Sequence, residues 1–110
     1  MNSRQKGNIA EDKATRFLET NGYEIVERNF YTKFGEIDII ALKDNIYHFV
    51  EVKSGKSFDS IYNVTQSKLN KITKTLNVYI KKYKINLPYQ IDVITIDNGK
   101  LEFIKNISFF

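Results

Sequence analysis

Two stretches of the chain carry apolar residues at the spacing of an amphipathic helix. The first covers residues 7–21 and is followed by Gly22, a residue that readily takes the left-handed conformation of a helix C-terminus. The second covers residues 66–84. Its apolar face consists of Leu69, Ile72, Leu76, Tyr79, Ile80 and Tyr83, and its lysines lie off that face. The pattern predicts two helices that each pack one face against the rest of the protein.

Shorter apolar runs bounded by turn residues predict five strands. They cover residues 23–30, 35–42, 46–53, 89–96 and 101–107, and a loop is expected over residues 54–65. The last segment is either a strand throughout or a strand followed by a short helical end. Asp44-Asn45 and Asn98-Gly99 are expected to form two-residue hairpin turns. Pro88 precedes the fourth strand, where it can end the second helix.

The order of elements is helix, three antiparallel strands, helix and two strands, which predicts an α/β fold. Because a helix joins the third and fourth strands, we expect a right-handed crossover and a parallel pairing of these two strands. The result is a mixed sheet flanked by helices. A length of 110 residues suits a single domain that spans residues 1–110.

The hairpin between the second and third strands brings polar side chains together. If Asp44-Asn45 form the turn, counting back along both strands pairs Asp38 with Glu51 and places Lys53 on the same face. Like charges directly opposite each other destabilise a sheet. We therefore expect a cation between the two carboxylates. Glu36 follows on the same face, and we expect it to pair with Lys53 or to act in the turn rather than to bind a second metal.

These residue types match the chemistry of a magnesium-dependent phosphodiesterase. Mg²⁺ prefers oxygen ligands, usually one or two carboxylates with water and substrate phosphate. Asp38 and Glu51 are the candidate carboxylate ligands, the main-chain carbonyl of Val52 is a third, and Glu11 of the first helix is a fourth. Lys53 would orient or help deprotonate the attacking water and neutralise charge on the phosphate. The plainer alternative is a solvated sheet face with a Lys–Glu pair, which contributes only about 0–1 kcal/mol.

The amino-acid composition says less about the function than the candidate site residues do. The chain has 17 Lys and Arg against 13 Asp and Glu, and the net charge of +4 suits a polyanionic partner. The absence of cysteine excludes disulfides, thiol chemistry and zinc–thiolate sites. No apolar run resembles a signal peptide or reaches the length of a membrane span, so we expect a cytoplasmic protein with no membrane contact.

The only histidine, His48, falls on the face of the third strand opposite to Glu51 and Lys53. It shares that face with Val50 and Val52. We expect it to pack under a helix rather than to take part in catalysis, although histidine is a common catalytic residue.

Short motifs extend from the first predicted helix to the fourth predicted strand. They are Gly7…Ala10-Glu11…Ala14, Asn21-Gly22-Tyr23, Arg28-Asn29, Gly35-Glu36-Ile37-Asp38 and Phe49-Val50-Glu51-Val52-Lys53, continued by Lys68 and Ile91-Asp92-Val93. Together they resemble the PD-(D/E)XK nuclease superfamily and, more narrowly, the YraN family of small bacterial proteins. The resemblance covers nearly the whole chain and implies a restriction-endonuclease-like fold.

The chain is also similar to the archaeal Holliday-junction resolvases, which place a helix glutamate, an aspartate and a Glu-x-Lys in the same order. This resemblance implies that Glu11, Asp38, Glu51 and Lys53 are the catalytic set and that Mg²⁺ or Mn²⁺ is the cofactor. It implies nucleic acid as the substrate, with structured or branched DNA expected. It also implies a homodimer, because resolvases need two active sites on one substrate.

The chain departs from its relatives at positions that would recognise the substrate. Many relatives carry arginine shortly after the Glu-x-Lys, whereas this chain has Lys56, which lacks the bidentate fork of arginine. Gln90 likewise stands where relatives often have arginine. Lys56, Lys68 and Lys71 are the expected nucleic-acid contacts.

Two other functions stay open. The protein could be a catalytically silent nucleic-acid or protein-interaction module that keeps the nuclease fold, or a structural protein whose acidic site binds metal only for stability.

Overall fold

The computed structural model describes residues 3–55 and 65–107, with side chains described from residue 8 onward. Helix α1 covers Ser3–Thr20, and strands β1 (Glu24–Thr32), β2 (Gly35–Lys43) and β3 (Ile46–Ser54) follow it. Helix α2 covers Gln66–Tyr83, and strands β4 (Tyr89–Asp97) and β5 (Lys100–Ile104) complete the described elements. This order of helix, three strands, helix and two strands confirms the predicted α/β class.

Within the described part of the chain, the five strands form one mixed sheet in the order β1-β2-β3-β4-β5. Strands β3 and β4 are parallel, as the helix between them predicted, and the other neighbours are antiparallel. The two predicted hairpin turns are present. Asp44 and Asn45 have φ of 52° and 63°, and Asn98 and Gly99 have φ of 50° and 80°, so both turns have the positive φ pair of type I′.

The predicted end of the second helix is confirmed to within one residue, although Pro88 is not what ends it. Helix α2 stops at Tyr83 because Lys84 takes the left-handed conformation (φ 53°, ψ 46°), ahead of Pro88. The carbonyl of Pro88 instead accepts a hydrogen bond from the main-chain N–H of Tyr47 at 2.9 Å. Strand β5 ends at Ile104, and residues 105–107 are neither strand nor helix. They turn back so that the N–H of Ile107 donates to Ile91 O at 2.8 Å.

The sheet is buried on both faces, which explains the nearly continuous apolar runs of its central strands. On one face, the apolar side of α1 packs against the sheet. The buried cluster between them consists of Ala10, Ala14, Leu18, Tyr23, Ile39, Ala41, Val50, Ile94 and Ile96. On the other face, α2 packs with the cluster Phe30, Ile37, Ile40, Phe49, Ile72, Leu76, Tyr79 and Ile91. Neither described helix combines the length and the apolar character that a membrane crossing requires.

Candidate active site

Three carboxylates converge at the end of the sheet where α1 approaches β2. Glu11, Glu36 and Asp38 each offer a carboxylate oxygen within 4.8 Å of the others. They line a cavity of about 370 Å³ that Asn8, Asn29, Tyr31 and Val52 also border. Glu36 therefore belongs to this acidic cluster, and the expectation that it pairs with Lys53 was wrong. Its carboxylate is hydrogen-bonded by Tyr31.

Glu11 is held in this position by two consecutive residues of β1. Its Oε1 atom accepts hydrogen bonds from Arg28 Nε and from Asn29 Nδ2, both at 3.0 Å. The guanidinium of Arg28 also donates to Asp12 Oδ1 at 2.7 Å. Neighbouring strand residues normally point to opposite faces, but Asn29 has a φ of 54° within β1. This local break lets both side chains reach α1 and fixes the Glu11 carboxylate beside β2.

The predicted register of the central hairpin is confirmed as far as its backbone pairing extends. Leu42 lies opposite Tyr47, Ile40 lies opposite Phe49, and the last registered pair is Ile39 with Val50. Asp38 and Glu51 are the residues that adjoin this pair on the two strands.

Side-chain bonds continue the contact between the two strands. Asp38 Oδ2 accepts the main-chain N–H of Val52 at 2.8 Å. The side chains of Asp38 and Glu51 also share a hydrogen bond. The two carboxylates therefore meet across neighbouring strands, at the point where the hydrogen-bonded ladder ends.

The surroundings of these acidic side chains disfavour their ionised forms and raise the pKa of all four carboxyl groups, those of Glu11, Glu36, Asp38 and Glu51. Burial, reinforced by the charge of Asp38, raises the pKa of Glu51 to about 8. Burial also raises the pKa of Asp38, although the Val52 N–H and Lys53 partly offset the effect. The pKa values of Glu11 and Glu36 are raised by burial, with a further contribution from the charge of Asp38. Clustered groups with shifted pKa values are a recognised property of functional sites.

Two lysines border the acidic group. Lys53 Nζ lies 3.6 Å from Glu51 Oε1, and its side chain also contacts that of Lys68 in the first turn of α2. Burial would lower the pKa of Lys53, but the contact with Lys68 and the charges of Glu51 and Asp38 together raise it. The contact with Lys53 lowers the pKa of Lys68. The raised pKa of Lys53 suits neutralisation of a phosphate better than removal of a proton from water.

The remaining expected contacts divide between described and undescribed parts of the chain. Lys71 is exposed on α2, near enough to Lys68 for its charge to contribute to the lowered pKa of that residue. Lys56 lies outside the described residues, as does most of the loop predicted over residues 54–65.

His48 is buried, as expected, with its ring edge-on to Tyr23 at a centroid distance of 4.9 Å. Sequence reasoning missed its partner: His48 Nδ1 lies 2.6 Å from Asp92 Oδ2. Reasoning from residues also assigned no role to Arg28 and Asn29. The motif Arg28-Asn29 could have indicated a role for these two residues. The signal for Asp92 was its position as a charged residue inside an otherwise apolar strand.

These elements define a class of protein, an α/β domain with an acidic, lysine-bordered candidate site at the end of a mixed sheet. The chain belongs to the uncharacterised protein family UPF0102, also called the YraN family, whose sequence profile matches residues 10–96. It is 56% identical over 108 residues to a UPF0102 protein of Helicobacter hepaticus, covering 98% of each chain.

Other relatives are nearly as similar. A UPF0102 protein of Campylobacter fetus is 55% identical over 100 residues, which cover 90% of this chain and 89% of the relative. One from Helicobacter pylori strain HPAG1 is 53% identical over 106 residues, or 96% of this chain and 93% of the relative. Membership confirms the resemblance to the YraN family.

Proposed function

We propose that this protein is a metal-dependent phosphodiesterase that acts on nucleic acid in the cytoplasm, with structured or branched DNA as its substrate. One observation carries the proposal: oxygens of Glu11, Glu36 and Asp38 lie within 4.8 Å of one another, and Asp38 in turn contacts Glu51, which pairs with Lys53. A structural role alone does not account for this many carboxylates, because each one raises the cost of ionising the next.

The donor set fits Mg²⁺ or Mn²⁺. All candidate ligands are oxygens, which hard divalent cations prefer. We assign Asp38, Glu51, Glu11 and the main-chain carbonyl of Val52 as ligands, and add Glu36 because it lies in the same cluster. When bound, the cation would acidify water and offset charge on the phosphate.

The side chains around the cluster then have separate tasks. Glu51 must release its proton before it can act as a ligand, because a carboxylate binds metal in its ionised form. Lys53 keeps its positive charge, and its ammonium group stabilises the negative charge that develops on a phosphate oxygen. Arg28 and Asn29 keep the Glu11 carboxylate directed at β2 through their shared bonds to Oε1.

The test is cleavage by the purified full chain. Four-way junction, duplex and single-stranded DNA of one sequence are incubated with Mg²⁺, Mn²⁺, Ca²⁺ or EDTA. We expect cleavage with Mg²⁺ or Mn²⁺ and none with EDTA. Lys53→Gln should reduce the rate by roughly 10²–10³-fold, the usual loss for a group that stabilises transition-state charge. Lys13→Gln, an exposed lysine of α1, is the matched control and should leave the rate unchanged. DNA binding without cleavage under every condition would identify the silent module instead.

Charge reversal at Lys68 and Lys71 tests the nucleic-acid contact separately from catalysis. Each phosphate that the protein neutralises contributes a slope of about −0.9 to log affinity against log salt for B-DNA. We expect the double change Lys68→Glu and Lys71→Glu to weaken binding and to make this slope shallower by about 1–2. Fluorescence anisotropy at several salt concentrations measures both quantities.

The control uses the same charge change at the other end of the helix. Lys81→Glu with Lys82→Glu alters the net charge equally but lies in the last turn of α2. Equal losses in the two double variants would show a non-specific effect of net charge, and unchanged affinity in both would remove α2 from the interface.

A further inference from the structure

A second polar site lies near the opposite end of β3, around the buried pair His48 and Asp92. Their side chains are almost inaccessible, with 5% of His48 and none of Asp92 exposed. Asp92 Oδ1 accepts hydrogen bonds from Gln90 Nε2 at 2.8 Å and from the N–H of Asn106 at 2.7 Å. Asp92 Oδ2 lies 2.6 Å from His48 Nδ1. Because an ionised carboxylate only accepts hydrogen bonds, Nδ1 carries the hydrogen and Nε2 is the ring nitrogen left for another partner.

His48 lines a cavity of about 230 Å³, which Tyr23, Lys43, Asp44, Gln90 and Lys105 also line. The volume is below the range of about 300–1,000 Å³ typical of sites for drug-sized ligands, so the cavity suits a small group. It shares no described lining residue with the cavity of Glu11, Glu36 and Asp38. Nothing in the proposed phosphodiesterase chemistry uses it.

One cation of this cavity is held in a fixed position. Lys43 Nζ donates to the carbonyl of Asn21 at 2.7 Å and lies 4.8 Å from the centre of the Tyr23 ring. A carbonyl partner leaves the positive charge of the ammonium uncompensated. Lys105 supplies a second ammonium, whose Nζ lies 5.5 Å from the Phe103 ring centre.

The charges that face His48 favour an anion. Lys43 and Lys105 are positive, Asp44 is the one opposing carboxylate on the described lining, and Asp92 is already satisfied by three hydrogen bonds. Inorganic phosphate near neutral pH carries both P–O⁻ and P–OH oxygens, because its third proton stays bound. A phosphate monoester carries both only in the fraction that has kept its second proton, whose pKa is about 6. The P–O⁻ oxygens pair with ammonium groups. The P–OH hydrogen is donated to Nε2, the ring nitrogen that carries no hydrogen.

We propose that this cavity binds a phosphate group, through the ammonium groups of Lys43 and Lys105 and Nε2 of His48. Two sources supply the same group: inorganic phosphate and the terminal phosphate of a nucleotide. The site is independent of the proposed phosphodiesterase activity.

The chain contains a single histidine, so the ring signals in a proton NMR spectrum report directly on this cavity. The metal-free full chain is titrated at pH 7 with inorganic phosphate, with sulfate at equal ionic strength, and with adenosine 5′-monophosphate against adenosine. We expect saturable shifts of the His48 signals with inorganic phosphate and smaller shifts with sulfate, which has no acidic hydrogen to donate at this pH. A lower dissociation constant for the nucleotide, with no effect of adenosine, identifies the terminal phosphate as the natural group. Equal constants identify inorganic phosphate.

Two substitutions separate this site from general anion binding. Lys105→Gln removes an exposed cation and should weaken phosphate binding about tenfold, a change of about 1.4 kcal/mol. Lys100→Gln, another exposed lysine of the β5 region, should have no effect. His48→Asn keeps a side-chain N–H for Asp92 but lacks Nε2, and phosphate binding, followed by calorimetry, should be lost. Shifts that stay linear with phosphate, that sulfate reproduces, or that Lys105→Gln leaves intact would overturn the proposal.

Discussion

Replacing Asp38 with asparagine is expected to abolish Mg²⁺-dependent cleavage and to leave the metal-free protein as stable as the wild type, or slightly more stable. The loss of rate should be a thousandfold or more, because metal stabilisation of transition-state charge is worth several kcal/mol. The folded state should not suffer, because removing one of the clustered carboxylates relieves repulsion on Glu51 and Glu11. The asparagine side-chain oxygen can still accept the Val52 N–H that Asp38 now accepts at 2.8 Å.

The cleavage assay described above measures the loss of rate, and thermal unfolding measures the stability and the binding of the cation. Added Mn²⁺ should raise the melting temperature of the wild type, because the cation binds only the folded state, and this rise should vanish in Asp38→Asn. Glu19→Gln removes an exposed carboxylate of α1 and should keep both the cleavage and the Mn²⁺ response. If Asp38→Asn instead destabilises the metal-free protein by about 3–5 kcal/mol, the scale of a broken buried pair, Asp38 is structural. The proposed activity would then lose its central residue.

The free energy of unfolding of the metal-free protein is expected to fall as the pH rises from about 4.5 to about 8. Burial and the charge of Asp38 raise the pKa of Glu51 from 4.5 to about 8. In this interval the folded protein keeps a proton that the unfolded chain has lost. The contribution of Glu51 is therefore complete below the unfolded pKa and disappears as the pH passes the folded pKa. Its slope is at most about 1.4 kcal/mol per pH unit.

Urea unfolding in EDTA at several pH values tests this expectation with Glu51→Gln as the variant. The uncharged side chain should remove much of the slope and make the variant more stable than the wild type at pH 8. Mg²⁺ should flatten the slope of the wild type but not that of the variant, because the cation stabilises the ionised carboxylate. Glu19→Gln again serves as the control and should retain the wild-type slope. A wild-type stability that is constant or rises over this range would show that Glu51 ionises as freely in the folded protein as in the unfolded chain.

Much of the fold was predictable because its signals are local. Helix periodicity placed α1 and α2, and the residues Asp44-Asn45 and Asn98-Gly99 tolerate the positive φ that type I′ turns require. Once the first turn is set, the register of β2 and β3 follows by counting, and the observed pairs agree as far as Ile39 with Val50. That counting alone brought Asp38 and Glu51 onto neighbouring strands. The end of α2 was predicted to within one residue, but a lysine in the left-handed conformation, rather than the following proline, stops the helix.

The amino-acid sequence by itself determined the order of elements, the central hairpin register and the residue types of the candidate site. Only the tertiary structure decided which of these residues meet. Alternation along β2 puts Glu36 and Asp38 on one face, but Glu11 joins them only because Arg28 and Asn29 of β1 hold its carboxylate there. His48 finds Asp92 through the parallel pairing of β3 and β4, two strands that a whole helix separates along the chain. Contacts of this kind depend on how the helices and strands pack in three dimensions, which no pattern of neighbouring residues encodes.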